Sequence, residues 1–245
     1  MKSWIVFVNI LLKDVKNYYL KPPNISWGII FPISWTLMFL LRSETPMDIR
    51  EILPGIIAMS VLFGTTSMLA VTITFEKKSK SFDRLLIAPI SLNLLMIAKT
   101  TGAIVFGMLN AIVPVVLALF WASSLNGIDW FIVFLSVFLI ALTSAFLGLL
   151  VAVSVSEVFE AQTLSNFFRF PMLFLCGLYF PITKIPAIIR PLSYIMPLTY
   201  GVDALKNAIN KDGLINPTVN FLALIGFAVM LFAFSIKNVR RKWIL

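Results

Sequence analysis

Residues 130–155 read WFIVFLSVFLIALTSAFLGLLVAVSV, and this stretch decides the fold class. It runs for 26 residues without a charge. A helix needs roughly 20 apolar residues to cross a hydrocarbon core about 30 Å thick. The apolar residues do not alternate with polar ones, which argues against a barrel strand. In hydrocarbon the backbone must satisfy its own polar groups, and an uninterrupted run of this length does so as an α-helix. Five further apolar stretches lie around it, at 25–41, 52–75, 100–121, 164–180 and 217–236, with short polar connectors between them. The first and fifth are short for a span. The expected fold is an all-α integral membrane protein with six transmembrane helices, forming one domain over residues 25–245.

Composition agrees. Of the 245 residues 60% are hydrophobic and 13% charged, with a mean hydropathy of +0.96. A soluble domain is normally about 45–50% apolar and about 25% charged. Buried helices of a large soluble protein would need amphipathic partners to cover them, and the chain supplies none. The single Cys176 permits no intramolecular disulfide, and the absence of histidine removes the commonest metal ligand and general base. No catalytic residue and no metal site is expected. No G-x-x-x-x-G-K-[ST] phosphate loop occurs, so the chain is not expected to bind ATP in the usual way.

Lysine and arginine placement orients the spans. With a cytoplasmic N-terminus, 14 of the 20 basic residues fall on the inner side and 6 on the outer. Both termini are therefore expected in the cytoplasm, in a cell-membrane protein. The pI of about 9.8 is a topology signal and a handle for anionic lipid rather than a sign of nucleic-acid binding.

Residues 1–24 do not resemble a secretory signal: Asn9 interrupts the apolar run, Lys13, Asp14 and Lys16 follow, and no small-residue cleavage site appears. Trp4, Val8, Leu11, Val15 and Tyr18 fall on one helical face. An N-terminal amphipathic helix at the membrane interface is expected, with a cytoplasmic helix packed on protein as the alternative. Pro22 and Pro23 end it.

The connector TFEKKSKSFDRLLIAPISLNLLMIAKTTG, residues 74–102, opens with charge and contains a short helix over Ser81–Ala88, stopped near Pro89. Phe82, Leu85 and Leu86 make an apolar face, and Asp83 and Arg84 remain available to a partner. The alternative is an ordinary positive-inside loop. Lys99, at the return to the membrane, is expected to snorkel to water, with a structural ion pair or a substrate contact as the alternatives.

Between the fifth and sixth stretches lies LYFPITKIPAIIRPLSYIMPLTYGVDALKNAI, residues 178–209. It is too apolar for a free loop and too broken by proline for one span. Two short re-entrant helices on the outer side fit both facts if protein covers their irregular backbone. They either gate a pathway or serve as a stabilising lid.

These two segments resemble the permeases of the ABC type-2 family. The first resembles its cytoplasmic loop, through Glu76, Lys77, Lys78, Arg84, Leu85, Leu86, Ala88, Pro89, Ile90, Ser91 and Lys99, with Asp83 where glutamate is usual. The second resembles its outer segment, through Phe180-Pro181-Ile182, Ile185-Pro186, Arg190-Pro191-Leu192 and Pro197-Leu198-Thr199-Tyr200 followed by Val202-Asp203-Ala204-Leu205; Met196 replaces the usual asparagine and Lys206 the usual arginine. The resemblance implies a separate ATP-binding subunit that carries ATP and Mg, and a second copy of this chain or a related permease. Glu76, Phe82, Asp83, Arg84, Leu85, Leu86 and Pro89 would then couple to the ATPase, and Pro181, Pro186, Pro191, Pro197, Tyr200 and Asp203 would form an outer re-entrant gate.

Arg169, inside FFRFP, is the candidate for the substrate path, because an ionisable group at membrane depth needs compensation. The alternatives are snorkelling or an ion pair with Glu157 or Glu160. Thr65, Thr66, Ser67, Asn110, Thr143 and Ser144 are expected to hydrogen-bond between helices. The expected function is export of a hydrophobic or amphipathic compound, such as a drug or lipid-like molecule. Export of a lipid-linked polysaccharide is the alternative, disfavoured by the lack of an evident aromatic row. An ATP-independent channel or secondary transporter is disfavoured because the span centres hold no carboxylate. A non-transporting assembly factor is a further rival.

Overall fold

The computed structural model describes residues 2–42, 49–121, 125–178 and 181–244. Among them the regular structure is helical throughout. Helix α1 (Lys2–Tyr18) is followed by α2 (Pro22–Ile25), a π-helical turn (Ser26–Ile30) and α3 (Phe31–Arg42), which run on as one rod. Proline at the start of α2 breaks the chain after α1 and begins the new helix, where its missing N–H costs nothing. Then come α4 (Ile49–Lys78), α5 (Ser81–Ile87), α6 (Leu92–Trp121), α7 (Trp130–Ser154) and α8 (Val158–Leu175). A 3-10 turn (Ile182–Lys184), α9 (Arg190–Ile195), α10 (Pro197–Asn210) and α11 (Pro217–Val239) complete the order, and α11 continues as a π-helical turn (Arg240–Ile244).

Four of these helices are long and apolar enough to cross a membrane: α4, α6, α7 and α11. The expected first and fifth stretches are helical too, as the α2–α3 rod and α8, although Tyr179 and Phe180 lie outside the described residues. Helix α8 carries Glu160 and Arg169 among its 18 residues, which lowers its hydropathy.

Helix α4 is the axis of the bundle. Its apolar window is wholly enclosed, whereas α6 and α11 turn most of theirs outward. A helix apolar on every side has to be surrounded, and α6, α7, α8, α10 and the α2–α3 rod surround this one. Close approach of α4 and α6 depends on glycine: a Cβ on Gly107 would collide with the Thr65 hydroxyl, and one on Gly64 with the Asn110 amide.

Helix ends are capped by side chains. Asp129 accepts from the Ile132 N–H at 3.1 Å to open α7, and Asn216 accepts from the Thr218 N–H at 2.9 Å to open α11. Glu157 and Glu160 form a capping box at the start of α8. The bundle thus has an α5 end, where α4 finishes and α6 and α8 begin, and an α10 end. There Arg50 donates to the Ile209 carbonyl at 2.9 Å, and the Asp129 N–H donates to the Ala208 carbonyl at 3.0 Å.

The structure adds detail to the N-terminal helix and corrects the placement of Lys99. Helix α6 begins at Leu92 rather than near residue 100, so Lys99 lies inside a helix rather than at its mouth. On α1 the side turned to protein carries Ile10 and Asp14, whereas Trp4, Ile5, Leu12 and Val15 are exposed. Thr66 and Thr143 bond back to the carbonyls of Leu62 and Leu139 in their own helices, at 2.7 and 2.8 Å, and Thr66 also makes a 3.4 Å contact across to the Ser144 carbonyl of α7.

Candidate functional site

The α5 end is organised by a buried charge cluster. Lys99 of α6 does not snorkel; it is enclosed, with its ammonium 2.7 Å from Asp14 Oδ1 of α1 and 2.7 Å from the Glu76 carboxylate of α4. Lys13, partly exposed, adds a contact of 2.6 Å to Glu76 Oε1. Two carboxylates against two ammonium groups leave the cluster neutral, which burial requires. Burial pushes the Asp14 carboxyl up to about 6, against the pull of Lys99. Glu76 therefore pairs within the chain, and its buried carboxylate fastens the base of α4 to α1 and α6.

Helix α5 hangs from this base. Lys80 adopts a left-handed conformation, φ 54°, which reverses the chain between α4 and α5. Phe82 is fully buried, and Leu85 and Leu86 are half-buried against the core. The apolar face expected for docking is thus turned in large part to the chain's own packing, with Leu85 and Leu86 keeping part of their surface open. What α5 presents outward is Asp83, Arg84 and Ile87, the last 84% exposed, with Pro89 exposed just beyond.

At the opposite end each proline has a positional use. Pro181 precedes the 3-10 turn, the Pro186 carbonyl accepts from Ile189 and Arg190 at 3.0 Å, and Pro191 and Pro197 occupy the first turns of α9 and α10. The two expected short helices are unequal: α9 has 6 residues and α10 has 14. Tyr200 donates to the Tyr194 carbonyl at 2.9 Å and so ties α10 to α9. Buried Asp203 accepts from the N–H groups of Leu214 and Ile215 at 2.8 and 3.0 Å and from Asn220 Nδ2 at 2.8 Å, fixing the turn into α11. A cavity of about 250 Å³ opens beside it, bordered by Cys176, Ile182, Val202 and Lys206.

Arg169 reaches neither expected partner. Glu157 pairs with Lys78 at 2.8 Å, and Glu160 accepts from the backbone N–H groups of Ser156 and Glu157. The guanidinium is fully buried with its carbon 4.9 Å from the centre of the Phe63 ring. Phe63 is also the hub of an aromatic group: ring centres of Phe31, Trp27 and Phe170 lie 4.8, 5.8 and 6.1 Å from it, and Trp35 packs tilted behind Phe31 at 5.5 Å. Sequence analysis missed this row, although Trp27, Phe31 and Trp35 recur every four residues. That spacing is its signal.

The sequence profile of ABC-2 type transporters matches residues 6–210, which takes in both the α5 loop and the α9–α10 segment. The chain belongs to the ABC-2 type transporter family. This ABC-2 permease is 22% identical over 211 residues to the inner membrane transport permease YadH of Escherichia coli, covering 83% of this chain and 82% of that one. It is 26% identical to nodulation protein J of Bradyrhizobium diazoefficiens, over 98% of this chain and 91% of the relative. Nodulation protein J of Sinorhizobium fredii is 28% identical over 192 residues, 74% of this chain and 71% of that one. ABC-2 permeases are membrane subunits of ABC transporters and work with an ABC ATP-binding subunit.

Proposed function

We propose that this permease is the transmembrane subunit of an ATP-driven exporter that moves a hydrophobic or amphipathic compound, drug-like or lipid-like, out of the cytoplasm. The observation that carries the reading is α5: a short helix at one end of an apolar bundle, presenting Asp83, Arg84 and Ile87 outward from a base fastened by buried ion pairs. ATP and Mg belong to the partner subunit, whose closure pushes on α5 and, through the fastened base, on α4, α6 and α1. Six spans cross the membrane, with the α2–α3 rod and α8 joining the four longer helices, and α9 and α10 dip back from the outer surface. A second copy or a related permease completes the pathway; the exposed rings of Phe159 and Phe167 on α8 give it an apolar surface to cover. The exposed Trp4, Ile5 and Leu12 of α1 rest in the interfacial layer of the bilayer.

The division of labour is testable directly. The purified chain alone is expected to bind no ATP, whereas its complex with an ATP-binding subunit hydrolyses ATP and moves amphiphile in vesicles. Specific nucleotide binding by the isolated chain refutes the reading. Topology is tested separately by cysteine labelling in a Cys176→Ser background. A cysteine at position 80 is expected to react only from the cytoplasm, and cysteines at 126 and 212 only from outside; labelling of 80 from outside intact cells reverses the orientation.

The aromatic row at Trp27, Phe31 and Trp35 favours one second reading, a lipid-linked polysaccharide as cargo, since sugar faces stack on such rings. Competition of a lipid-linked oligosaccharide against a simple alkyl amphiphile in the same vesicles separates the two.

A further inference from the structure

Arg169 stands on a polar seam that the fold does not complete. On α8 the residues Gln162, Ser165, Asn166 and Arg169 follow one another at helical spacing, along one face of the helix. The Gln162 amide, the Ser165 hydroxyl, the Asn166 carbonyl oxygen and all three guanidinium nitrogens are buried and have no hydrogen-bond partner. Across from them, Ser60 and Ser67 occupy the face of α4 that carries Phe63, and their buried hydroxyls are also without partners. The Phe63 ring gives the guanidinium a π-face but no acceptor for its five N–H donors. Buried polar groups are ordinarily satisfied, and a buried unpaired cation is among the costliest arrangements a helix bundle can hold.

The position matters as much as the chemistry. Arg169 is the twelfth of the 18 residues of α8, roughly 17 Å along a helix of about 27 Å, and Phe63 is the fifteenth of the 30 residues of α4. Neither end of the bundle is within easy reach of the side chain. Among the described residues no carboxylate pairs with the guanidinium, so its counter-charge is absent from the fold.

Resting on the exporter reading above, we propose that the seam binds the anionic group, phosphate or carboxylate, of the transported amphiphile. Arg169 pairs with the anion, the Gln162 amide N–H and the hydroxyls of Ser165, Ser60 and Ser67 donate its further hydrogen bonds, and the Phe63 aromatic group receives the apolar body. The cargo is then an anionic amphiphile rather than a neutral or cationic one.

The test uses the full chain in maltoside micelles for binding, and its complex with the ATP-binding subunit in phosphatidylcholine vesicles for transport. Dodecyl phosphate, dodecyltrimethylammonium and inorganic phosphate are the probes. Dodecyl phosphate is expected to raise the melting temperature of the wild-type chain at roughly tenfold lower concentration than the cationic analogue. Arg169→Gln abolishes that difference and Arg169→Lys keeps part of it. Without any probe, Arg169→Gln melts no lower than wild type, because it removes an unpaired buried cation; a purely structural arginine predicts the reverse. A destabilised Arg169→Gln that still responds normally to dodecyl phosphate overturns the proposal. So does inorganic phosphate acting as well as dodecyl phosphate, which makes the site one for a free anion. If the complex moves the anionic and cationic probes equally, with or without Arg169, the seam assignment fails and the exporter reading stands. If the chain binds dodecyl phosphate through Arg169 but the complex moves no amphiphile, the exporter reading fails and the anion site stands.

Discussion

Replacing Lys99 by methionine is expected to destabilise the permease by about 3–5 kcal/mol, the usual cost of removing one partner from a buried ion pair. The ammonium of Lys99 lies 2.7 Å from both Asp14 and Glu76. Without it the two buried carboxylates share, among the described residues, the single ammonium of Lys13, which contacts Glu76. The deficit depends on pH, with a sign fixed by Asp14. Its folded-state carboxyl already titrates near 6, above the ordinary 3.8, so its stability contribution is fully present below the unfolded value and is lost as pH rises through the folded one. Loss of Lys99 raises that value further. The deficit should therefore be largest at pH 8 and narrow by pH 5.5, where Asp14 takes up a proton. Melting curves of wild type and variant at the two pH values measure this. The triple variant Asp14→Asn, Glu76→Gln, Lys99→Met, which removes the buried charges together, should recover most of the loss. An unchanged melting temperature for Lys99→Met at pH 8 would show that the cluster does not hold the α5 end together.

The other large effect is expected at α5, in coupling rather than in stability. Ile87→Asp and Arg84→Glu alter exposed side chains outside every span and should leave insertion and melting unchanged. Full burial of the Ile87 side chain against a partner is worth about 1.5–3 kcal/mol, so its loss weakens association with the ATP-binding subunit by about tenfold or more. Substrate-stimulated ATPase and transport should fall together. Phe82→Ala is the contrasting variant. Phe82 is fully buried in the chain's own core, so its truncation should cost about 3–5 kcal/mol of permease stability. Co-purification of the partner and ATPase activity in reconstituted vesicles measure the first effect, and melting of the isolated chain the second. Normal coupled activity in the Ile87→Asp, Arg84→Glu double variant would reduce α5 to a topogenic loop.

The sequence by itself determined the helices, because the forces that make them are local. An uncharged apolar run forms its own backbone hydrogen bonds wherever it is buried, so residues 130–155 announced α7 without reference to the rest of the chain. Prolines at 22, 197 and 217 begin helices in the structure for an equally local reason, since the ring restricts its own φ and removes its own N–H. Capping was nearly legible too: Glu157 and Glu160 close the start of α8, which leaves neither to pair with Arg169 as the sequence suggested.

Only the tertiary structure decided which charges meet and which faces stay open. Lys99 and Asp14 are 85 positions apart, and hydropathy placed Lys99 at a membrane mouth where a long side chain finds water; α6 instead begins earlier and carries it inside. Phe82, Leu85 and Leu86 look like a docking face on an isolated helix, but the left-handed turn at Lys80 rolls them onto the core and leaves Ile87 outside. Trp27, Phe31 and Trp35 form a row in sequence, yet only the packing of α4 and α8 brings Phe63 and a partnerless guanidinium against it. Helix formation is read from neighbours in the chain. The solvation of an ion and the exposure of a side chain depend on everything within a few ångströms, and that shell is assembled only when the helices pack.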